Sequence, residues 1–313
     1  MTIYILRKTL SFTLTLFTLS LISFLLFTLT PGDPALLIAK ERMGGELPTP
    51  EVFEKIKKEL NLDAPLFIIY IDWLKRYLKG DWGRSFVTNQ PVLSLIMDRF
   101  KMTLLLALTS FIISFPLSLI SGILAGIRKG SKIDYAISII SMVLDSIPAL
   151  FLGLNLMMIF GVKLHLLPVA GSSSIKNIAL PAITLSAGYI AATSRITRAS
   201  VIETLSKDYI ITARAKGIGK SLILKKHVLR NSLVPVVTYA GIELAWLLEG
   251  SVIVETLFSW PGIGSLLAEA TLAKDLPIIQ GCLILFGLIF LTISGSTELI
   301  HMLINPEVRA KSE

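Results

Sequence analysis

Residues 195–232 read RITRASVIETLSKDYIITARAKGIGKSLILKKHVLRNS and stand between two apolar runs, 178–194 and 233–257. The stretch is basic, holding Arg195, Arg198, Lys207, Arg214, Lys216, Lys220, Lys225, Lys226 and Arg230, yet it is patterned. Ile202, Leu205, Tyr209 and Ala213 recur at three- and four-residue spacing, so the preceding helix is expected to continue beyond its apolar run. Ala213-Arg214-Ala215-Lys216-Gly217 follows. Small residues let another backbone approach, and glycine permits a sharp reversal. A short amphipathic piece over 218–229 then sets Leu222 and Ile223 beside Lys220, Lys225 and Lys226. A basic face alone suits anionic lipid. The order helix, glycine, short helix is more specific, and suits a docking element for a partner on that side.

Outward from this stretch the chain is apolar. Of its 313 residues 53% are hydrophobic and 17% charged, against about 25% charged in a soluble chain. Together with a mean hydropathy of +0.73, this excludes a soluble enzyme and a disordered chain. The formal charge of +8 fits basic loops at the inner face of a membrane better than a nucleic-acid partner. The single cysteine, Cys282, lies in an apolar run and reads as a structural thiol.

A membrane helix needs about 20 mostly apolar residues. Six runs qualify: 9–30, 103–125, 136–162, 178–194, 233–257 and 277–300. Arg7 and Lys8 precede the first, which is too long for a signal peptide and has no Ala-x-Ala-like site before Pro31. It is expected to be an uncleaved span with a cytoplasmic N-terminus. Arg128, Lys129 and Lys132, the nine bases of 195–232, and Arg309 and Lys311 then all fall inside, while the short outer loops hold only Lys163, Lys176 and Lys274. That asymmetry supports cytoplasmic termini. The expected organisation is a first span in 1–30, an extracytoplasmic helical segment over 31–101, and a five-span core over 102–313.

The outer segment opens with Pro31-Gly32-Asp33-Pro34, a chain-turning cluster. Thr49-Pro50 reads as an N-cap with proline in the first turn, followed by Val52, Ile56 and Leu60 on one face. A second helix near Asp63 and Pro65 carries Phe67, Ile71, Leu74 and Leu78, with Tyr70, Trp73 and Tyr77 among them and Lys75, Arg76 and Lys79 near its end. Two arrangements fit it: a helix in the headgroup layer, or one packed on the outer ends of the spans.

Acids within spans usually face a cavity or a partner. Asp145 precedes Pro148, which is expected to kink its helix. Tyr239, Glu243, Trp246 and Gly250 share a stripe, and Glu249 falls about 120° away. Asp145, Glu243, Trp246 and Glu249 are therefore the pore or gate candidates; an interhelical hydrogen bond without solute contact fits the acids equally. Glu298 is expected to snorkel or pair locally. Trp260-Pro261-Gly262 suits either a re-entrant mouth or a plain turn. His165, His227 and His301 show no metal-ligand spacing. Ser296 and His301 stand about 140° apart on a helix, so a nucleophile–base pair is excluded. No GxxxxGK[ST] loop occurs, so ATP chemistry must lie elsewhere.

Residues 208–217, DYIITARAKG, resemble the EAA loop of ABC importer permeases. Residues 227–235, HVLRNSLVP, and 250–264, GSVIVETLFSWPGIG, are similar to the dipeptide, oligopeptide and nickel permeases, as are Pro31-Gly32-Asp33-Pro34 and Asn305-Pro306. Against the general Glu-Ala-Ala-x-x-x-Gly pattern Ala213 and Gly217 match, while Ile211 and Thr212 replace the Glu and the first Ala. The resemblance spans essentially the whole chain. It implies an all-α polytopic membrane protein with six transmembrane helices in the type I ABC importer fold, in a bacterial or archaeal cytoplasmic membrane. It also implies an ATPase-coupling loop of Thr212, Ala213, Arg214, Ala215, Lys216, Gly217, Ile218, Ser221 and Leu222, with a coupling helix after Gly217. The implied partners are a homologous permease, two ATPase subunits, an external solute-binding protein and membrane lipid, with no nucleic acid. No cofactor is expected on this chain; ATP and magnesium belong to the partners. Small peptides are the expected cargo. Nickel or another metal as a chelate is the alternative, and a proton-coupled transporter using Asp145, Glu243 and Glu249 a second.

Overall fold

The computed structural model describes residues 2–29, 48–59, 64–249 and 251–304. Among them the chain is helical, with a lone antiparallel bridge between Arg84 and Pro91. It divides into two compact units, Met1–Met102 with Gly262–Ile289, and Thr103–Pro261 with Phe290–Glu313.

The first unit holds α1 (Thr2–Leu29), α2 (Pro50–Glu59), α3 (Leu66–Leu78), the outer part of α4 (Val92–Ile127), α12 (Ile263–Ala273) and the outer part of α13 (Leu276–Ile304). Both helices expected in the outer segment form, and the Thr49 carbonyl accepts from Phe53 N–H at the start of α2. The Pro31–Pro34 cluster and Asn305-Pro306 lie outside the described residues. α3 packs on α1: Tyr70 is buried, its hydroxyl is hydrogen-bonded to Ser20 at 2.7 Å, and its ring meets Phe24 edge-on. Trp73, Tyr77 and Trp82 continue the line of rings. Burial pushes the Tyr77 phenol up. Leu66, Phe67 and Leu78 are exposed, so the helix has one face packed and one apolar face open. The core of this unit is Val92, Ile96, Ile263, Leu266, Ala270, Ile278 and Cys282, which places the thiol in the interior.

One acid fastens the outer loop of this unit. Asp275 is 1% exposed and accepts from Ser85 Oγ and from Phe86 N–H at 3.1 Å. Hydrogen bonds to a charged group contribute about 1.5–3 kcal/mol each. Asp275→Ala is expected to cost about 3 kcal/mol, read as a lowered thermal midpoint of the purified chain.

The second unit is built around α7 (Ala179–Leu205), entered through a 3-10 turn at Ile175–Ile178. The inner part of α4, α5 (Lys132–Ser146), α6 (Ala149–Leu156) and α10 (Leu229–Glu249) complete its long elements. α7 buries Ala182, Ser186, Ala187, Ala191, Thr193, Ser194 and Thr197. Lipid offers no hydrophobic drive between helices, so close packing of small residues holds them. Of the two glycines of α4 that meet α7, Gly122 and Gly126, Gly122 comes closer: a Cβ there would sit 2.5 Å from Thr197 Cβ and 2.6 Å from the Ser194 carbonyl oxygen.

Four helical runs, Val92–Ile127, Ile175–Leu205, Lys220–Leu248 and Leu276–Ser296, are long and apolar enough to cross a membrane. Lys132–Ser146 with Ala149–Lys163 makes a fifth, bent by 100°. Thr9–Leu25 of α1 is a shorter apolar helix among the described residues, which therefore account for four or five of the six expected spans. The kink expected at Pro148 is a full break. Ile147 is extended, with φ −86° and ψ 119°, as a residue preceding proline prefers. Within the run over 233–257, α10 is described to Glu249, and a short α11, Val252–Leu257, follows. Between the last two long runs, α11 and α12 stand where a plain turn was one expectation.

Candidate functional site

The basic stretch folds as two short helices closed by glycine. α7 stops at Leu205, and α8 (Asp208–Ala215) starts after Lys207, which is extended. Glu203 lies 2.8 Å from Lys207, and its hydrogen bond raises the Lys207 pKa. At the other end Gly217 adopts φ +76°. Its N–H donates to the Arg214 carbonyl at 3.0 Å, and Ile218 N–H donates to the Ala213 carbonyl at 3.2 Å. These two bonds are the Schellman closure, which needs a left-handed residue at the position of Gly217. α9 (Lys220–Ile223) then begins.

The piece expected as one short helix over 218–229 is instead the start of a longer run. A π-turn, Leu224–Val228, joins α9 to α10, and Leu224 and Leu229 both keep right-handed helical angles. The loop has its own core of Val201, Ile210, Ala213, Ile223 and Val228, backed by Ile123, Leu205, Ile218 and Leu224. Of the expected coupling residues, Ala213 is therefore inside and Ile218 half-buried. Thr212, Arg214, Ala215, Lys216, Gly217, Ser221 and Leu222 are exposed. Ile211 and Leu222, 57% and 55% exposed, give this basic surface an apolar centre.

A second basic element is pinned to the same helix. Asp134 is 2% exposed and accepts from both Nε and a terminal nitrogen of Arg198. It also accepts from Gly130 N–H at 2.9 Å, while Ser131 caps α5 by accepting from Asp134 N–H. The loop carrying Arg128, Lys129 and Lys132 is thus held to α7. Sequence reading counted Arg198 only as a base.

Two polar groups occur deeper. At about 1.5 Å per residue, Glu243 lies about 20 Å from the start of α10, and Ser114 about 20 Å from the end of α4, each within a run long and apolar enough to cross a membrane. Glu243 is fully buried. Its carboxyl oxygens accept from Ser114 Oγ at 3.1 Å and from Thr193 Oγ1 at 2.7 Å, so it ties α10 to α4 and α7. These are interhelical hydrogen bonds. Trp246, from the same stripe, is 50% exposed. Asp145 Oδ2 accepts from Arg195 at 2.8 Å, and the two side chains are 44% and 50% exposed. Glu249 closes α10, and its side chain lies outside the described residues.

Glu243→Gln keeps an acceptor for Ser114 and leaves the Thr193 hydroxyl free to turn, so it is expected to change stability by under about 1 kcal/mol. Glu243→Leu strands the buried Thr193 hydroxyl and leaves Ser114 only its 3.4 Å bond to the Phe111 carbonyl, and is expected to cost about 1–3 kcal/mol. Thermal unfolding in detergent separates the two outcomes.

Glu255 was quoted within a motif but not singled out. It is fully buried and accepts from Thr103 Oγ1 at 2.7 Å and Ser251 Oγ at 2.8 Å. Asp134, Arg195 and Glu255 share one reason for being missed: each acts through a residue distant in sequence. Among the described residues no three His, Cys, Asp or Glu side chains gather as a metal site.

Apolar helices crossed by buried hydroxyl–carboxyl links, with an anchored basic loop at one end, define a polytopic membrane protein. The chain belongs to the binding-protein-dependent transport system inner membrane components: that family matches residues 118–310, and its N-terminal counterpart matches residues 1–107. It is 37% identical over 308 residues to the glutathione transport system permease protein GsiC of Escherichia coli K12, covering 98% of this chain and 99% of that one. GsiC of Shigella flexneri serotype 5b matches equally. In fold it is similar to the MetNI methionine ABC transporter in an inward-facing conformation, with TM-score 0.58 and 20% identity, covering 69% of this chain and 99% of that one. An amino acid ABC transporter gives TM-score 0.53 at 17% identity, covering 66% and 93%. The chain is therefore the permease subunit of an ABC importer, with the type I importer fold. Such permeases work with ATPase and binding-protein partners, and the proton-coupled alternative is set aside.

Proposed function

We propose that this permease subunit forms one half of a pore that takes small peptides, of the glutathione and di- or oligopeptide class, from a solute-binding protein into the cytoplasm. The observation that carries this is the identity to GsiC along nearly the full length of both chains. The second half of the pore is a homologous permease, and two ATPase subunits dock inside. Their contact is the exposed part of the loop: Thr212, Arg214, Ala215, Lys216, Gly217, Ser221 and Leu222, with Ala213 and Ile218 holding it in shape. Its apolar centre suits a protein cleft, and its bases hold it at the inner face. Closure of the ATPases on ATP draws the two loops together and turns the pore outward; hydrolysis returns it. The membrane is the inner one, with both termini cytoplasmic.

Radiolabelled glutathione, a dipeptide mixture and nickel, offered separately to cells lacking this chain, test the reading. Loss of glutathione or dipeptide uptake, restored by the intact gene, is the expected result. Loss of nickel uptake alone would move the cargo to a metal complex.

A further inference from the structure

Two Asp–Arg pairs join α5 to α7, and they are built differently. The inner pair, Asp134 with Arg198, is a closed fork: two parallel bonds, a backbone N–H on the same carboxylate, and an acid that is 2% exposed. The outer pair, Asp145 with Arg195, is open. One guanidinium nitrogen meets one carboxylate oxygen at 2.8 Å, and both side chains are about half exposed. Arginine carries five N–H donors and a carboxylate two acceptor oxygens, so most of the binding capacity of this pair is unspent.

The place of this pair makes the openness informative. Asp145 stands immediately before the 100° break, and Arg195 lies within the apolar run Ile175–Leu205, about 15 Å along α7 from its end at about 1.5 Å per residue. Charges within such a run face a water-filled cavity or a partner, not lipid. A base and an acid held side by side in an aqueous pathway match a solute that carries a carboxylate and an ammonium together.

We propose that Asp145 and Arg195 form a zwitterion-binding subsite in the translocation pathway, Arg195 taking the carboxylate of a peptide-like solute and Asp145 its ammonium. The solute class rests on the import reading above. The open side of each charged group accepts the solute, and the single Asp–Arg bond re-forms when it leaves. The neighbouring break lets the outer half of the span move without carrying the pair with it.

The test is saturation-transfer NMR on the whole transporter, both permeases with their ATPases, in nanodiscs without binding protein. The probes are glycyl-leucine, its C-terminal amide and its N-acetyl form. On the wild type the unmodified dipeptide is expected to give a signal at least ten-fold above either blocked form. Arg195→Gln should erase the distinction against the amide, and Asp145→Asn the distinction against the acetylated form. Equal signals for the three probes, no signal for glycyl-leucine, or distinctions that survive both substitutions would overturn the subsite. The probe series on the wild type decides even where a variant fails to assemble. Uptake without binding here removes the subsite and leaves the import reading; binding without peptide uptake does the reverse.

Discussion

Gly217→Val is expected to lower ATP-driven uptake more than ten-fold while leaving the permease folded and in the membrane. Gly217 holds φ +76°, and a Cβ there would meet nothing within 4 Å. The penalty is therefore one of backbone conformation and not of crowding. A left-handed conformation costs an ordinary residue about 1–2 kcal/mol, and a β-branched one is a true outlier there. Opening the turn by that amount changes the population of the closed form about five- to thirty-fold. The two bonds lost, Gly217 to Arg214 and Ile218 to Ala213, set the angle between α8 and α9 and so the shape offered to an ATPase. The core beneath, from Val201 to Val228, stays anchored to α7 and α10. Uptake should fall more than ten-fold, and co-purification of the ATPase subunits should weaken. Asn, which tolerates the left-handed region, should retain more of both than Val. Normal coupling in Gly217→Val would remove the loop from the coupling role.

Gly122→Leu is expected to lose the folded chain. Here the crowding is against main chain: the 2.6 Å approach is to the Ser194 carbonyl oxygen and the 2.5 Å approach to Thr197 Cβ, neither of which can swing aside. Added bulk in a packed interior costs about 1–3 kcal/mol when neighbours adjust, and here the adjustment must move α4 off α7. That movement would also break Ser114 from Glu243, and Ser186 from the Ser110 carbonyl. The effect should exceed about 3 kcal/mol, read as sharply lower yield and a thermal midpoint below growth temperature. Gly122→Ala should already be damaging. A wild-type midpoint in Gly122→Leu would mean that the α4–α7 approach is not part of the native packing.

Much of this was legible in the chain itself. The membrane class, the two outer-segment helices and the glycine-closed loop all follow from local facts: runs of apolar residues, a Thr-Pro start, and a small-residue patch ending in Gly217. Local signals survive because a helix satisfies its own backbone, which a membrane requires. Pro148 announced a kink for the same reason, though not that Ile147 would leave the helical region and turn the span by 100°. The short helix over 218–229 was misjudged because nothing in 224–228 marks where a helix tightens or loosens; the π-turn there arises where α9 must meet the core of the loop and still feed α10.

Side-chain roles were less legible, because spacing along one helix gives a face but not its neighbour. Glu243 and Trp246 share a stripe in the sequence, yet one is fully buried and the other half exposed. Which side of the stripe meets α4 and α7 is set by those helices, not by α10. Asp134 and Asp145 look alike as acids on α5, and so do Arg198 and Arg195 as bases on α7. The sequence determined that this chain crosses a membrane, that a basic loop lies on one side, and that glycine closes that loop. Only the tertiary structure decided which Asp–Arg pair is sealed and which stands open, because that depends on where α7 passes α5 and on what covers the pair there.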